Sequence, residues 1–295
     1  MGETWNIDSH RIDISNMEKV FYPDSGSTKG DVISYYKKIS KTLLPYVKDR
    51  PIVMHRFPDG IKEDGFYQKE RSDYFPGWIG RTRVKLAQGG SQTLVIANNR
   101  ASLIYLANQG VLVFHGWLSR KDKISYPDRL IFDLDPPSKS KEGFTQVKFA
   151  AYKLRDIFRD TGMHPFVMST GSHGLHIVVP IRRHHDFDAV REYARETAEQ
   201  LAEKYPGEIT VETRKKKRRG RLFLDYMRNA YGQTSVVPYS LRALPGSPVA
   251  VPLDWEELSS FSDPKKYTSH NIFQRLGKKK DPWKDFFRKA KKLDI

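Results

Sequence analysis

Leu130-Ile131-Phe132-Asp133-Leu134-Asp135-Pro136-Pro137 is the stretch on which the reading of this chain turns. A run of apolar residues closed by two prolines, which cannot continue a backbone ladder, predicts a short buried strand. Side chains alternate across a strand, so Asp133 and Asp135 share one face while Phe132 and Leu134 share the other and point to the core. Two neighbouring carboxylates repel each other and are costly to desolvate. A hard divalent cation relieves both costs, because Mg²⁺ is held by one or two carboxylates together with substrate phosphates. The plainer alternative is a strand end carrying two solvated acids.

Downstream the pattern is regular. The strand at about 130–135 leads to a helix with Val147, Ala150, Ala151, Leu154, Ile157 and Phe158 on one face and Gly162 where a C-terminal cap belongs. A strand at Phe166-Val167-Met168, the turn Thr170-Gly171-Ser172-His173-Gly174 and a strand from Leu175 to Pro180 follow. A second helix carries Val190, Tyr193, Ala194, Thr197, Ala198 and Leu201. Then come a basic run, Arg214 to Arg221, and the strand Leu222-Phe223-Leu224-Asp225. The order β-α-β-β-α-β is that of the ferredoxin-like unit. Its fourth strand lies beside its first, which places Asp225 next to Asp133 and Asp135 and the 170–174 turn at the Asp135 end of the sheet. The register of that pairing stays open. Three carboxylates on two adjacent strands suit a clamp of two metal ions on the attacking and leaving oxygens of phosphoryl transfer. The plainer role for Asp225 alone is an ion pair with Arg221 or Arg228. His173 and His176, three apart, fall on opposite faces of a strand and are not read as a metal pair.

Upstream, Thr28 with Asp31 predicts a helix start, continued by Val32, Tyr35, Tyr36, Ile39 and Leu43 and ended by Pro45. Pro51 to Phe57 alternates as a strand, and strands at 93–97 and 111–117 flank a helix near Arg100 to Gln109. The 295 residues suffice for one large domain or two modest ones. With 51 lysines and arginines against 35 acids, the net charge of +16 favours a polyanionic partner, most simply nucleic acid. The basic block Arg214 to Arg221 is expected to meet phosphates, which position nucleic acid without reading it. Phe66 and Tyr67, set among charged residues, are placed to stack on a base. Absence of cysteine excludes a disulfide framework and a thiolate zinc site. With no secretory apolar region and no long apolar run, an intracellular protein without membrane attachment is expected. Neither GxxxxGK[ST] nor HExxH occurs, so P-loop and zincin chemistry are excluded. Lys62-Glu63-Asp64-Gly65 matches the KxDG of nucleotidyl-transferring ligases, but none of their later motifs follow and it is taken as a decoy.

Taken together, the motifs resemble the polymerase domain of bacterial ligase D and its stand-alone archaeal relatives, within the archaeo-eukaryotic primase superfamily. The segments that carry the resemblance are Glu18–Pro23, Thr28–Val32, Arg50-Pro51, Arg56–Gly60, Phe66–Lys69, Ala107-Asn108 with His115, Phe132–Pro136, Ser172–His176, Phe223–Tyr226 and Pro238–Arg242. The resemblance implies an α+β primase-polymerase fold: an N-terminal α/β subdomain of about 1–128, a ferredoxin-like (RRM-like) catalytic unit of about 129–250, and a basic C-terminal tail of about 251–295. It implies that Asp133, Asp135 and Asp225 are catalytic and hold two divalent metals, Mn²⁺ or Mg²⁺. His55, Tyr67, His115, Thr170, Ser172, His173, Arg228 and Arg242 would contact the nucleoside triphosphate, with Tyr67 stacking on the base. Lys19 and Lys29 would grip the 5′-phosphate of a DNA gap or break, and Arg56, Arg218 and Arg221 other parts of the DNA. The chain departs from the family in having His55 and His173 where lysine is frequent, and Arg228 where glutamine is frequent.

The implied activity is template-directed nucleotide addition, with primase-like activity and a ribonucleotide preference, that fills gaps and extends broken ends in non-homologous end joining. The implied partners are gapped or broken DNA and separate Ku and DNA ligase proteins, in a prokaryotic cytoplasm and on the nucleoid during repair, with no membrane. A metal-dependent nuclease would use the same three carboxylates, and a non-catalytic DNA-end-binding protein the same charge and aromatics.

Overall fold

The computed structural model describes residues 2–86 and 88–295. Its elements run β1 (Glu3–Ile7), β2 (His10–Ile14), β3 (Val20–Tyr22), β4 (Ser27–Thr28), α1 (Lys29–Val47), β5 (Pro51–Arg56), β6 (Phe66–Gln68), β7 (Gly80–Lys85), β8 (Ser91–Ile96), α2 (Arg100–Asn108), β9 (Val111–Trp117), β10 (Arg129–Asp135), α3 (Lys141–Asp160), β11 (Phe166–Ser169), β12 (Leu175–Pro180), α4 (Phe187–Lys204), β13 (Ile209–Thr210), β14 (Leu222–Asp225), β15 (Thr234–Val236), β16 (Val251–Leu253), α5 (Trp255–Ser260) and α6 (Ile272–Lys278). They form two units that interleave along the chain. The first comprises Met1–Asp122, Thr234–Ala250 and Thr268–Phe273, the second Lys123–Gln233, Val251–Tyr267 and Gln274–Ile295. A linear division near residues 128 and 250 differs from this at both ends, because strand pairing carries late segments back. β15 pairs antiparallel with β9, and β16 with β11.

In the second unit the sheet is ordered β13-β14-β10-β12-β11-β16. Its core, β14-β10-β12-β11, is fully antiparallel and puts the fourth strand of the β-α-β-β-α-β unit beside the first. Phe132 and Leu134 are fully buried, and the Phe132 ring meets Phe158 of α3 at 5.7 Å. The helices therefore cover that face, and Asp133 and Asp135 occupy the other. α3 presents Phe144, Val147, Ala150, Ala151, Leu154 and Phe158 inward, and α4 presents Phe187, Val190, Ala194, Thr197, Ala198 and Leu201. Gly162, at φ +71°, ends α3: its amide donates to Arg159 O, and the Met163 amide donates to Phe158 O. These two bonds satisfy carbonyls left over at the helix end. The charged C-terminal segment is anchored to this sheet. Trp283 and Phe286 are buried, and the Trp283 indole N–H donates to the Val167 carbonyl at 3.1 Å.

In the first unit the sheet is ordered β15-β9-β5-β8-β7, with β6 also paired to β5. α1 begins with the expected capping box: Thr28 Oγ1 accepts from the Asp31 amide and the Asp31 carboxylate accepts from the Thr28 amide. Pro45 does not end this helix, which continues to Val47. Proline removes one donor to the residue four back, and so close to the end the loss is small compared with the burial of Tyr46 and Val47.

One side chain stands in for a missing piece of strand. β14 pairs with β10 only over Asp133–Asp135. Beyond that, Asn229 Nδ2 donates to Ile131 O at 2.7 Å and Asn229 Oδ1 accepts from Ile131 N at 2.8 Å. Asn229 is fully buried, and so are both backbone groups that it serves. Asn229→Ala strands a buried donor and a buried acceptor, each worth about 1–3 kcal/mol. The expected loss is about 2–4 kcal/mol, read as a lower urea midpoint with an unchanged slope.

Candidate active site

The acids meet through strand register. Asp133 lies directly opposite Asp225 on β14 and directly opposite His176 on β12. Directly paired residues point to the same side of a sheet, so Asp133, Asp135, Asp225 and His176 share the face away from the helices. His176 Nε2 lies 3.4 Å from Asp133 Oδ1. Arg228 stands over the pair, 3.3 Å from Asp133 Oδ2 and 3.8 Å from Asp225 Oδ2. The Met227 amide donates to Asp225 Oδ1 at 2.7 Å.

These neighbours divide the acids electrostatically. Burial pushes the Asp133 carboxyl up, but His176 and Arg228 together pull it below the usual carboxylate range. Asp135 is pushed up to about 6 by burial and by the negative charges of Asp133 and Asp225, against weaker help from Arg218 and Arg228. Asp225 is also raised by burial and by Asp133. The face therefore carries more negative charge than its own cations balance. Hard oxygen ligands on one surface fit a divalent cation in chemistry. As the side chains stand, no three His, Asp or Glu groups among the described residues converge on one point, and the Arg228 guanidinium bridges the carboxylates instead.

The turn after β11 is pressed against this face. A Cβ on Gly174 would fall 2.2 Å from Leu134 O, so only glycine allows the approach. The Thr170 amide and hydroxyl both donate to Gly174 O, at 3.1 and 3.0 Å. The Gly171 amide donates to Ser169 Oγ and the Ser172 amide to Thr170 Oγ1. Thr170 thus closes the turn, and the side chains of Ser172 and His173 line a cleft on its outer side. The basic run before β14 folds back on itself. Arg218 donates to the carbonyls of Glu212 and Thr213 and stacks on Phe223, and Arg221 donates to the carbonyls of Arg218 and Pro206.

In the first unit, strand pairing sets His55 opposite Tyr67 and Val53 opposite His115. The His55 and Tyr67 rings stack at 4.0 Å and 12°, and the Tyr67 and His115 rings meet edge to face at 5.6 Å. Tyr67 is 59% exposed. Burial, then the Arg242 charge, lowers the His55 imidazole pKa, which keeps it neutral at physiological pH. Arg56 donates to Gln109 O and Gln68 Oε1 and sits over Phe66. The segment before Arg242 is held from within: the Ser240 hydroxyl accepts from the Phe114 amide and the Tyr36 hydroxyl accepts from the Leu241 amide. Tyr239 takes φ +66°, a strained conformation for a bulky residue, and is fully buried there. Lys19 and Lys29 flank the β3–β4 hairpin, with the Lys29 amide donating to Lys19 O at 2.7 Å. Lys29 is buried and its ammonium donates to Ser15 O at 2.7 Å, while Lys19 pairs with Asp59. Burial and the Lys19 charge lower the Lys29 pKa to about 8.

The model for the LigD primase-polymerase domain matches residues 28–283. The chain belongs to the LigD primase-polymerase domain family. It is 31% identical over 260 residues to the multifunctional non-homologous end joining protein LigD of Mycolicibacterium smegmatis, covering 86% of this chain and 34% of that one. It is 29% identical over 279 residues to the bifunctional LigD of Bacillus subtilis, covering 94% and 44%. The chain thus spans about a third to under half the length of these relatives. Its structure is similar to that of the polymerase domain of Mycobacterium tuberculosis ligase D in complex with DNA, with a TM-score of 0.87 at 28% identity over 95% of this chain and 99% of that one. The chain is thus an enzyme of the primase-polymerase type, with the α+β fold of the LigD domain. No helix among the described residues is long and apolar enough to cross a membrane.

One neighbour of these acids, His176, is not evident from motif spacing, while the Arg228 pairing is the alternative that the sequence offers for Asp225. His176 reaches Asp133 because β12 starts at Leu175, which leaves His173 in the turn and puts His176 across the ladder. Arg228, expected at the nucleotide, pairs with the acids themselves. The raised Asp135 carboxyl has a consequence for stability. Its pKa is about 6 folded against about 3.9 unfolded, so ionising it costs more in the folded chain, and its unfavourable contribution is fully present above pH 6 and gone below pH 4. Asp135→Asn, in a chelator, is expected to stabilise the fold by about 1–3 kcal/mol at pH 7.5. The gain should vanish near pH 4, as followed by thermal melts across pH.

Proposed function

We propose that this chain adds nucleotides to primer ends at gaps and breaks in DNA during non-homologous end joining, by template-directed phosphoryl transfer. The observation that carries the proposal is the pairing of Asp133 with Asp225 and His176 on a sheet face beside the 170–174 turn. In the reaction a 3′-oxygen bonds to the α-phosphorus as the bond to the β-phosphate oxygen breaks. Pyrophosphate leaves with that electron pair, and the hydroxyl proton passes to water. Asp133, Asp135 and Asp225 would hold Mg²⁺ or Mn²⁺, whose positive charge stabilises the attacking and leaving oxygens. Arg228, which pairs with two of these carboxylates, would be free to meet phosphate where a cation held them instead.

Ser172, His173 and Arg242 are assigned to the triphosphate, and Tyr67 and His115 to base and sugar, with a 2′-hydroxyl preferred. His55 serves Tyr67 as a neutral platform. Thr170 acts through the turn that it closes. Lys19 and Lys29, at the N-terminus of α1, are assigned to a 5′-phosphate, which that helix end favours. Arg56, Arg218 and Arg221 are assigned to DNA, and Ku and a ligase are proposed as separate partners on the prokaryotic nucleoid.

A labelled primer on a gapped template with Mn²⁺ and nucleotides tests the reaction: lengthening supports it, and shortening marks a nuclease. Asp225→Ala is expected to abolish extension while DNA binding survives. Arg242→Ala should cost kcat/KM about 1–3 kcal/mol, mainly through nucleotide KM. Lys19→Ala with Lys29→Ala should erase the preference for a 5′-phosphorylated gap over a 5′-hydroxyl gap. Ribo- and deoxyribonucleotides in competition on one substrate decide the sugar preference.

A further inference from the structure

A cleft of about 450 Å³ opens beside the Asp135 end of the sheet, between three segments of the second unit. Its walls are Ser138 to Lys141, entering α3; Ser172 and His173 on the turn; and Ser262 to Lys265. Two chain connections fix its place. Ser138 follows Asp135 by three residues, and the turn bearing Ser172 and His173 is locked against Leu134 through Gly174. The walls are also fastened together. The Ser169 hydroxyl donates to Pro264 O at 2.7 Å. The Ser138 and Ser140 hydroxyls lie 2.9 Å apart, and Ser140 Oγ caps the Gly143 amide. A Cβ on Gly143 would meet Ser138 O at 2.3 Å, so the loop lies flat on the helix start.

The lining carries Lys139, Lys141 and Lys265 against a single acid, Asp263, which is engaged by the Lys265 amide at 2.8 Å. Ammonium groups and hydroxyls beside the Phe144 ring, in a cleft of this size, suit a small polyanion. We propose that this cleft receives the pyrophosphate released by nucleotide addition, with Lys139, Lys141 and Lys265 as its cationic contacts. The proposal rests on the polymerase reading above. When the bond between the α- and β-phosphates breaks, the leaving group holds the bonding electrons and several negative charges. Lys139, Lys141 and Lys265 offer that anion positive charge in the cleft beside the Asp135 end of the sheet. Ser172 and His173, assigned above to the triphosphate, also line the cleft, so the departing anion keeps these two contacts as it moves toward the lysines.

The test is titration of inorganic pyrophosphate with Mg²⁺ into the full chain by calorimetry, and product inhibition of primer extension. In the triple variant Lys139→Ala, Lys141→Ala, Lys265→Ala, pyrophosphate is expected to bind at least tenfold more weakly. Its inhibition constant should rise by more than any change in nucleotide KM. The triple arginine variant, which keeps the charges, should restore binding and guards against a folding artefact. Equal pyrophosphate affinity in wild type and the alanine variant overturns the proposal. So does an equal rise in inhibition constant and nucleotide KM, which would put the lysines on the bound nucleotide. Calorimetry needs no turnover: a chain that extends no primer, yet loses pyrophosphate with the lysines, refutes the polymerase reading and leaves the cleft standing.

Discussion

The register of β10 between β12 and β14 is the constraint on which the site depends. A slip of one residue on either side would turn every side chain of the moved strand to the opposite face and put Leu224 in place of Asp225 or Ile177 in place of His176. Three local features hold the register. Phe132 and Leu134 must stay under the helices, Asn229 holds both backbone groups of Ile131, and Gly174 lets the turn lie against Leu134. None of the three touches a reacting atom. Each costs something to alter, which makes the sheet a rigid mount for acids that repel one another.

That repulsion is managed unevenly. Asp133 lies against His176 and Arg228 and is held below the usual carboxylate range, while Asp135 has no such partner in contact and is raised. An ion pair kept only for stability would have balanced charges in contact. Here the burial of three acids against one imidazole and one guanidinium leaves an excess that a cationic ligand can neutralise. The cost to the fold is the counterpart of that capacity, and such a trade is common where a site needs charge that folding does not.

How much of this was legible in the sequence depended on the range of the interaction. The strand of acids, both helices of the catalytic unit and the Gly162 cap follow from local periodicity and from residues with restricted backbones, and they appear as expected. The adjacency of Asp225 followed from element order, since the fourth strand of that unit has one place to go. What local reading could not supply was set by pairing at long range. The contact of His176 with Asp133 comes from the pairing of β12 with β10. β15 returns to β9 from more than a hundred residues away, so the units interleave. In the charged C-terminal segment, only packing shows that Trp283 and Phe286 are buried against β11.

A histidine in preference to a lysine at position 55 is best understood through its neighbours. A lysine there would bring an ammonium group toward Arg242, and the same Arg242 charge already lowers the imidazole pKa. A neutral ring avoids the repulsion and stacks on Tyr67 at 4.0 Å, which a lysine stem does not do with a comparable plane. The exchange therefore moves this position from supplying charge to supporting an aromatic surface. Tyr67, more than half exposed on the far side of that stack, gains a fixed orientation from it. The positive charge of this cluster is then concentrated in Arg242, whose backbone is fastened by Ser240 and Tyr36 through a strained Tyr239. A strained backbone at that point is tolerable because buried hydroxyls hold Tyr239 itself and the two residues that follow it.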